Sequence, residues 1–276
     1  MPELGIVDIR EVIRVVKSEY DYDFSNYTLT SFRMRLERLM SLLKIGSTEA
    51  LTGRLTTEHG FFDTFLYGMT VPSTEMFRDP SLWRWLREEH LPRVMDKFPG
   101  KFKIWLPACV SGGELYSLAI LLSESGMLDK VQIIASCVSL QSIEEIKNGI
   151  YDTRKMEISG ENYKRFNGTR QLSDYYRSDS THVIRNNSLI SQVEFKILNI
   201  NFDNAPQSVR LILFRNSMIY YYPTQQEKIL RILYNSLSSS GHLVIGNREK
   251  LSSMGLGRDF EVANEIECVY RKRIFS

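Results

Sequence analysis

Ser111, Gly112, Gly113 and Glu114 lie between an apolar run, IWLPACV, and an apolar helical pattern, LYSLAILL. Together they imply a strand, a tight turn and a helix. Glycines let the backbone approach a bound group, and a helix N-terminus offers unpaired N–H groups. The turn is therefore a candidate cradle for an adenine-containing cofactor. It also reads as a plain strand-to-helix turn, with Glu114 favouring the helix dipole. In nucleotide-binding α/β folds an acid about 20 residues further on, near the end of the next strand, bonds the ribose hydroxyls. Here that strand is VQIIASC, and the position is Cys137, 24 residues past Gly113. A thiol is a weak donor, uncharged at neutral pH unless its pKa is lowered. It cannot accept two hydroxyl bonds as a carboxylate can.

The elements around this turn follow from hydrophobic periodicity. After residue 100, apolar strand-like runs (KFKIWLPA, VQIIASCV, QVEFKILNI, VRLILFRN, GHLVIG, ECVYRKRIF) alternate with the helical patterns ELYSLAILLSESG, SLQSIEEIKNGIY and TQQEKILRILYNSLSSSG. Near-continuous apolar strands alternating with helices predict a doubly wound, mostly parallel, Rossmann-like sheet covered on both faces. The last two strands leave little room for a crossover helix, so an antiparallel edge is expected. Residues 1–70 predict a helical N-terminal domain, and residues 71–276 a connector and an α/β domain. In the former, TLTSFRMRLERLMSLLKIG offers Thr28, Thr30 or Ser31 as N-cap and Gly46 as stop. The polar stretch NYKRFNGTRQLSDYYRSDSTHVIRNNSLISQ fits the alternation poorly and predicts a small subdomain or a surface excursion.

Composition narrows the function classes. The chain has 276 residues, 43% hydrophobic and 25% charged, with a net charge of +2. These values suit a soluble globular protein and give no global field toward nucleic acid or a membrane surface. No apolar run approaches the roughly 20 residues of a membrane span, and the first residues lack the apolar core of a signal peptide. Cys109, Cys137 and Cys268 are odd in number and widely spaced. They carry no zinc spacing, suit the reducing cytoplasm, and each reads as a buried apolar residue.

Seven segments in order, TVPSTEMFRDP, IWLPACVSGGELYSLAILL, IIASCVS, NGIY, VEFKILNI, LILFRNSMIYYYPTQQEKIL and SGHLVIGNREKL, resemble the CheR-type chemoreceptor methyltransferases. The likeness runs from about Tyr20 to near the end of the chain. It implies a helical domain followed by an S-adenosylmethionine (SAM) domain. It further implies methyl transfer to a receptor glutamate. Cofactor-binding positions carried over are Thr74, Gly112, Glu114, Cys137, Asn199, Ile200 and Asn216. Arg78 would hold the substrate carboxylate and Tyr220 would orient it. Apart from the resemblance, Arg78 also reads as a surface salt bridge and Tyr220 as a packed aromatic. The sulfonium already activates the methyl and a carboxylate is already a nucleophile, so alignment and desolvation would carry the reaction.

The departures from the family cluster. Pro72 stands for an asparagine of the connector, Gly113 for the first of two glutamates in the turn, and Cys137 for the aspartate after the second strand. Each replaces a polar group implied to hold the methionine or ribose end of SAM. Two readings follow: a protein-glutamate methyltransferase with weakened or lost cofactor binding, and an inactive CheR-like binding or regulatory protein. The resemblance also implies a chemoreceptor or other helical signalling protein as partner, docked on the basic helix of Arg33, Arg35 and Arg38. That stretch reads as a solvated charged face as well.

Overall fold

The computed structural model describes residues 4–70, 74–97, 100–178, 183–199, 205–249, 251 and 257–274. Four helices lead: α1 (Ile6–Tyr20), α2 (Leu29–Leu42), α3 (Thr48–Thr57) and α4 (Phe61–Gly68). Their apolar stripes meet in one core that includes Val12, Phe32, Leu36, Leu51 and Phe65. Thr28 is the N-cap position of α2. The helix stops earlier than Gly46: it ends at Leu42, and Lys44 takes the left-handed conformation at φ 54°. A connector then leads into α5 (Pro80–Trp85), a π-helical turn (Leu86–His90) and α6 (Leu91–Met95).

The strands of the main sheet are β1 (Phe102–Leu106), β2 (Val131–Cys137), β6 (Glu194–Ile197), β7 (Val209–Leu213), β8 (Leu237–Val244), β9 (Phe260–Asn264) and β10 (Val269–Lys272). Their order is β6-β2-β1-β7-β8-β10-β9. The first five run parallel, and β10 is antiparallel to both neighbours, giving the expected edge. Alternate residues of β1 feed opposite cores, Ile104 and Leu106 on one face and Trp105 on the other. This is why the central strands are apolar without interruption. Helices α7 (Gly113–Glu124), α8 (Leu140–Asn148), α9 (Met156–Phe166) and α10 (Pro223–Ser236) complete the α/β unit. Strand β9 was not expected from the sequence, and β8 begins at Leu237, inside the predicted helix tail.

The polar stretch that broke the alternation contributes to a small antiparallel sheet of β3 (Ile150–Tyr151), β5 (Val183–Arg185) and β4 (Tyr176–Ser178), in that order. Glu124 at the end of α7 ties the region down. Its buried carboxylate accepts from the hydroxyls of Tyr163 and Tyr175 and from the Thr169 N–H.

The helices and the sheet meet along a seam. An isolated β-bridge pairs Tyr27 with Tyr221. Thr28 N–H donates to the Tyr220 carbonyl at 3.0 Å, and Tyr222 N–H donates to that of Asn26 at 3.1 Å. Further along, the Asp63 carboxylate on α4 accepts from Leu140 and Gln141 N–H at 2.8 and 2.9 Å, satisfying the open start of α8.

Candidate functional site

The strand order reverses between β1 and β7, and ligands of open α/β sheets bind where such a reversal leaves a crevice at the strand ends. Two adjoining cavities open to solvent lie there. They share Ala108, Cys109, Val110, Ser217 and Tyr220 as a common wall. Thr74, Arg78, Gly112, Glu114, Asn216 and Tyr220 line the first cavity, and Cys137, Asn199 and Tyr220 line the second. Of the positions singled out in the sequence, Ile200 and Pro72 lie outside the described residues.

The first cavity is charged. Arg215, in the turn just after β7, is almost wholly buried and pairs with Glu114 at 2.8 Å and Asp79 at 2.5 Å. Its Nε has no partner among the described residues. Burial holds the Glu114 carboxyl above its ordinary value, and Arg215 opposes that shift. Glu114 is thus the partner of a buried cation rather than only a helix-dipole residue. Arg78 is partly exposed, with Nε 3.7 Å from Glu75. Two guanidiniums and two carboxylates on one cavity match both ends of a zwitterionic amino-acid group.

The connector that brings Arg78 here is held under strain. Phe77 and Asp79, on either side of it, have φ of 52° and 57°. Such conformations cost about 1–3 kcal/mol each and persist where neighbours enforce them. The enforcing bonds are visible. Ser117 Oγ accepts from Phe77 N–H at 2.8 Å and Ser159 Oγ accepts from Met76 N–H at 3.0 Å. Trp83 Nε1 and Arg215 Nη2 both donate to the Arg78 carbonyl, at 2.9 and 3.3 Å.

The glycine turn is obligatory at Gly112, whose φ is +73°, but Gly113 leaves no gap. A Cβ there would meet the Thr74 carbonyl oxygen at 2.6 Å. The connector backbone fills the space in which a side chain was expected to be missing.

Sequence reading did not single out Glu249, which shapes the β7 turn. It is 3% exposed. Its carboxylate accepts from the N–H groups of Asn216 (2.9 Å), Met218 (2.7 Å) and Gly246 (2.7 Å). These bonds hold Asn216 at a φ of 55°. The signal available was an acid three residues after Gly246 in a strand-ending turn, too common a pattern to single out.

The second cavity is aromatic and carries no carboxylate among its lining residues. Cys137 is buried, and its thiol donates to the Cys109 carbonyl at 3.0 Å. The neighbouring Cys137 thiol and burial push the Cys109 thiol well above its ordinary pKa, which makes it a poor nucleophile. A diol entering here meets a thiol already turned to the backbone, with Ser142 and Asn199 nearby on the same wall.

Two arginines of the basic helix make bonds within the helical unit. The Arg38 guanidinium donates to the carbonyls of Gly68 and Thr70 at 2.7 and 2.5 Å. Arg35 donates to the Met69 carbonyl at 3.2 Å and stacks on the Tyr220 ring at 4.1 Å. The carbonyls at the end of α4 lack helical partners, and these two arginines satisfy them. Arg33 is half-buried.

Among the described residues no group of three or more His, Cys, Asp or Glu is placed to hold a metal, and no helix is long and apolar enough to cross a membrane. A family model described as CheR methyltransferase, SAM binding domain, matches residues 72–265. The protein Cher3 of Pseudomonas putida is 31% identical over 266 residues, covering 96% of this chain and 97% of its own. A chemotaxis protein methyltransferase of Listeria innocua is 25% identical, over 86% of this chain and 88% of its own. Chemotaxis protein methyltransferase 1 of Pseudomonas aeruginosa is 29% identical, over 80% and 81%.

Proposed function

The chain belongs to the CheR methyltransferase family, and from that premise we propose that it is a protein-glutamate O-methyltransferase of chemotaxis signalling whose hold on SAM is weakened. The observation that carries the weakening is the Cys137 thiol, which donates to the Cys109 carbonyl in a cavity lined by no carboxylate. Ribose hydroxyls entering that cavity give up water without gaining a charged acceptor, and polar groups desolvated without replacement are unfavourable. The amino-acid end fares better: Glu75, Glu114 and Arg215 offer it both signs of charge.

When bound, SAM supplies an electrophilic methyl group on a sulfonium. The chain's own residues then have to align a substrate carboxylate and keep water away. Arg78 pairs with that carboxylate and Tyr220, on the wall shared by both cavities, fixes its approach. Arg35 beneath the Tyr220 ring holds the aromatic in place. No general base is required, because the attacking carboxylate is ionised at neutral pH.

The same proposal includes a helical unit over residues 1–70, an α/β unit over 71–276, a cytoplasmic location and a helical signalling protein as partner. Since Arg35 and Arg38 are engaged internally, the partner is expected to meet other groups of the helical unit. A second reading, a CheR-like regulatory protein without methyl transfer, is favoured by the same thiol.

Calorimetric titration with SAM and its demethylated product, S-adenosylhomocysteine, tests the cofactor side. Binding at least tenfold weaker than that of a relative with aspartate at this position is expected. Equal or tighter binding would overturn the weakened site. Transfer of labelled methyl from SAM to receptor glutamates separates the two readings: incorporation supports the enzyme, and its absence with measurable binding supports the regulatory protein.

A further inference from the structure

Arg185 is a cation that the methyl-transfer reading does not use. It lies on β5 of the small sheet, is 2% exposed, and among the described residues it bonds to backbone carbonyls and no carboxylate. Its Nη2 donates to the Ser111 carbonyl at 3.0 Å and its Nε to that of Gly149 at 3.3 Å. The guanidinium lies over the rings of Tyr116 and Tyr151, 4.1 and 4.6 Å from their centroids. Its Nη1 has no partner, and stands 3.5 Å from where a Cβ on Gly112 would be. An uncompensated buried charge is expensive to keep, and filling this space would take only an apolar side chain.

Tyr151, on β3 of the same small sheet, donates its hydroxyl to the Thr74 carbonyl at 2.5 Å. Thr74 N–H in turn donates to Ser111 Oγ at 3.3 Å. Two side chains of one small sheet therefore grip the two walls of the first cavity, one holding the glycine turn and the other the connector.

We propose that Arg185 and Tyr151 are positioning residues for the cofactor, setting the spacing of Ser111 and Thr74, and that the unneutralised charge behind Gly112 favours an anionic group in front of it. The anionic group is the carboxylate at the amino-acid end of the ligand, so the inference rests on the reading that this cavity takes SAM. It makes the small sheet part of the cofactor site although none of its strands lines the cavity.

The test uses the full chain with Arg185→Met, Arg185→Lys and Tyr151→Phe. Two quantities are read: the calorimetric Kd for S-adenosylhomocysteine, and amide hydrogen exchange of residues 109–114 without ligand. Arg185→Met should weaken binding by about tenfold to a hundredfold, the range for a lost charged hydrogen bond. It should also speed exchange in the turn while leaving α10 protected. Arg185→Lys, which keeps the charge and loses the planar fork, should fall between Met and wild type. Tyr151→Phe should weaken binding less and leave the charge intact.

Wild-type affinity and wild-type turn exchange in Arg185→Met would overturn the proposal. If that variant does not fold, the same result in both Arg185→Lys and Tyr151→Phe would overturn it. If the wild-type chain binds no S-adenosylhomocysteine, the cofactor reading fails by itself. Turn exchange then decides the positioning role: faster exchange in the variants supports it and unchanged exchange removes it.

Discussion

The carbonyl oxygen of Thr74 stands 2.6 Å from where a side chain on Gly113 would begin. The connector backbone therefore leaves no room for a side chain at Gly113. Gly113→Glu cannot simply restore a carboxylate, because the obstacle is backbone already fixed by the Tyr151 hydroxyl. Overpacking of this kind costs about 1–3 kcal/mol. The expected result is a lower melting temperature and no gain in S-adenosylhomocysteine affinity, read by thermal denaturation and calorimetry. A tighter-binding, equally stable variant would show that the connector moves freely.

Cys137→Asp is the restoration that should work. The site is at the end of β2 on the wall of the second cavity. A carboxylate there cannot keep the thiol's bond, since the Cys109 carbonyl is an acceptor, so it is driven toward the cavity. An increase in SAM affinity of about tenfold or more is expected, because charged hydrogen bonds contribute roughly 1.5–3 kcal/mol. Calorimetry on a folded variant that gained nothing would place the weakness elsewhere.

Glu249→Gln should disturb the site without touching a ligand. The amide replaces one acceptor oxygen with a donor that faces backbone N–H groups. Leaving such a group unsatisfied costs about 1–3 kcal/mol. The denaturation midpoint should fall, and cofactor affinity should fall with it, as Asn216 loses its tether. Unchanged binding at reduced stability would mean that the turn keeps its shape by other bonds.

Acid should destabilise the chain through two buried histidines. The rings of His90 and His242 meet edge to face at 4.4 Å, and neither His90 nitrogen has a partner among the described residues. Burial, chiefly, lowers His90 to about 3 and His242 to about 4. His242 and Arg93 add to the lowering at His90, while at His242 Arg271 and Arg93 add to it and Glu261 opposes it. The unfolded chain binds these protons below about 6.5, whereas the folded chain refuses them until near 4. Stability is therefore full above pH 6.5 and is lost as pH falls toward 4, by about 2 kcal/mol per histidine at pH 5. Denaturant midpoints measured from pH 7.5 to 4.5 should show this slope, and His90→Phe should flatten it. An unchanged slope in that variant would assign the acid sensitivity to carboxylates.

What could be read from the sequence was what the main chain repeats. Strands such as IIASC and LILF are apolar on both faces because helices cover both faces, and that pattern survives without homologues. The small sheet escaped because β3 has two residues and β4 and β5 three each, too short for alternation to register. What holds that region is Arg185 and Glu124, polar side chains whose partners are 36 to 74 residues away. The same applies to the site. Arg78, Glu114, Asn216 and Tyr220 could be placed together through motif order, whereas the Asp79 and Glu249 carboxylates meet Arg215 and three backbone N–H groups only once the chain has folded. The internal bonds of Arg35 and Arg38 escape for a related reason: charge on a helix says nothing about which carbonyls lie within its reach.

The bridge between Tyr27 and Tyr221 joins residues 194 positions apart, and their hydroxyls lie 3.1 Å from each other. Tyr220, whose carbonyl is bonded in that seam, is also a wall of both cavities. Melting of the leading helices would strip away the bond to Thr28 and the cation beneath the Tyr220 ring in one event. The free energy of ligand capture is thereby linked to the integrity of a segment whose α1 and α3 line neither cavity. A saturating ligand should raise the melting of those helices along with that of the sheet, so that heat capacity records one transition where separate units would give two.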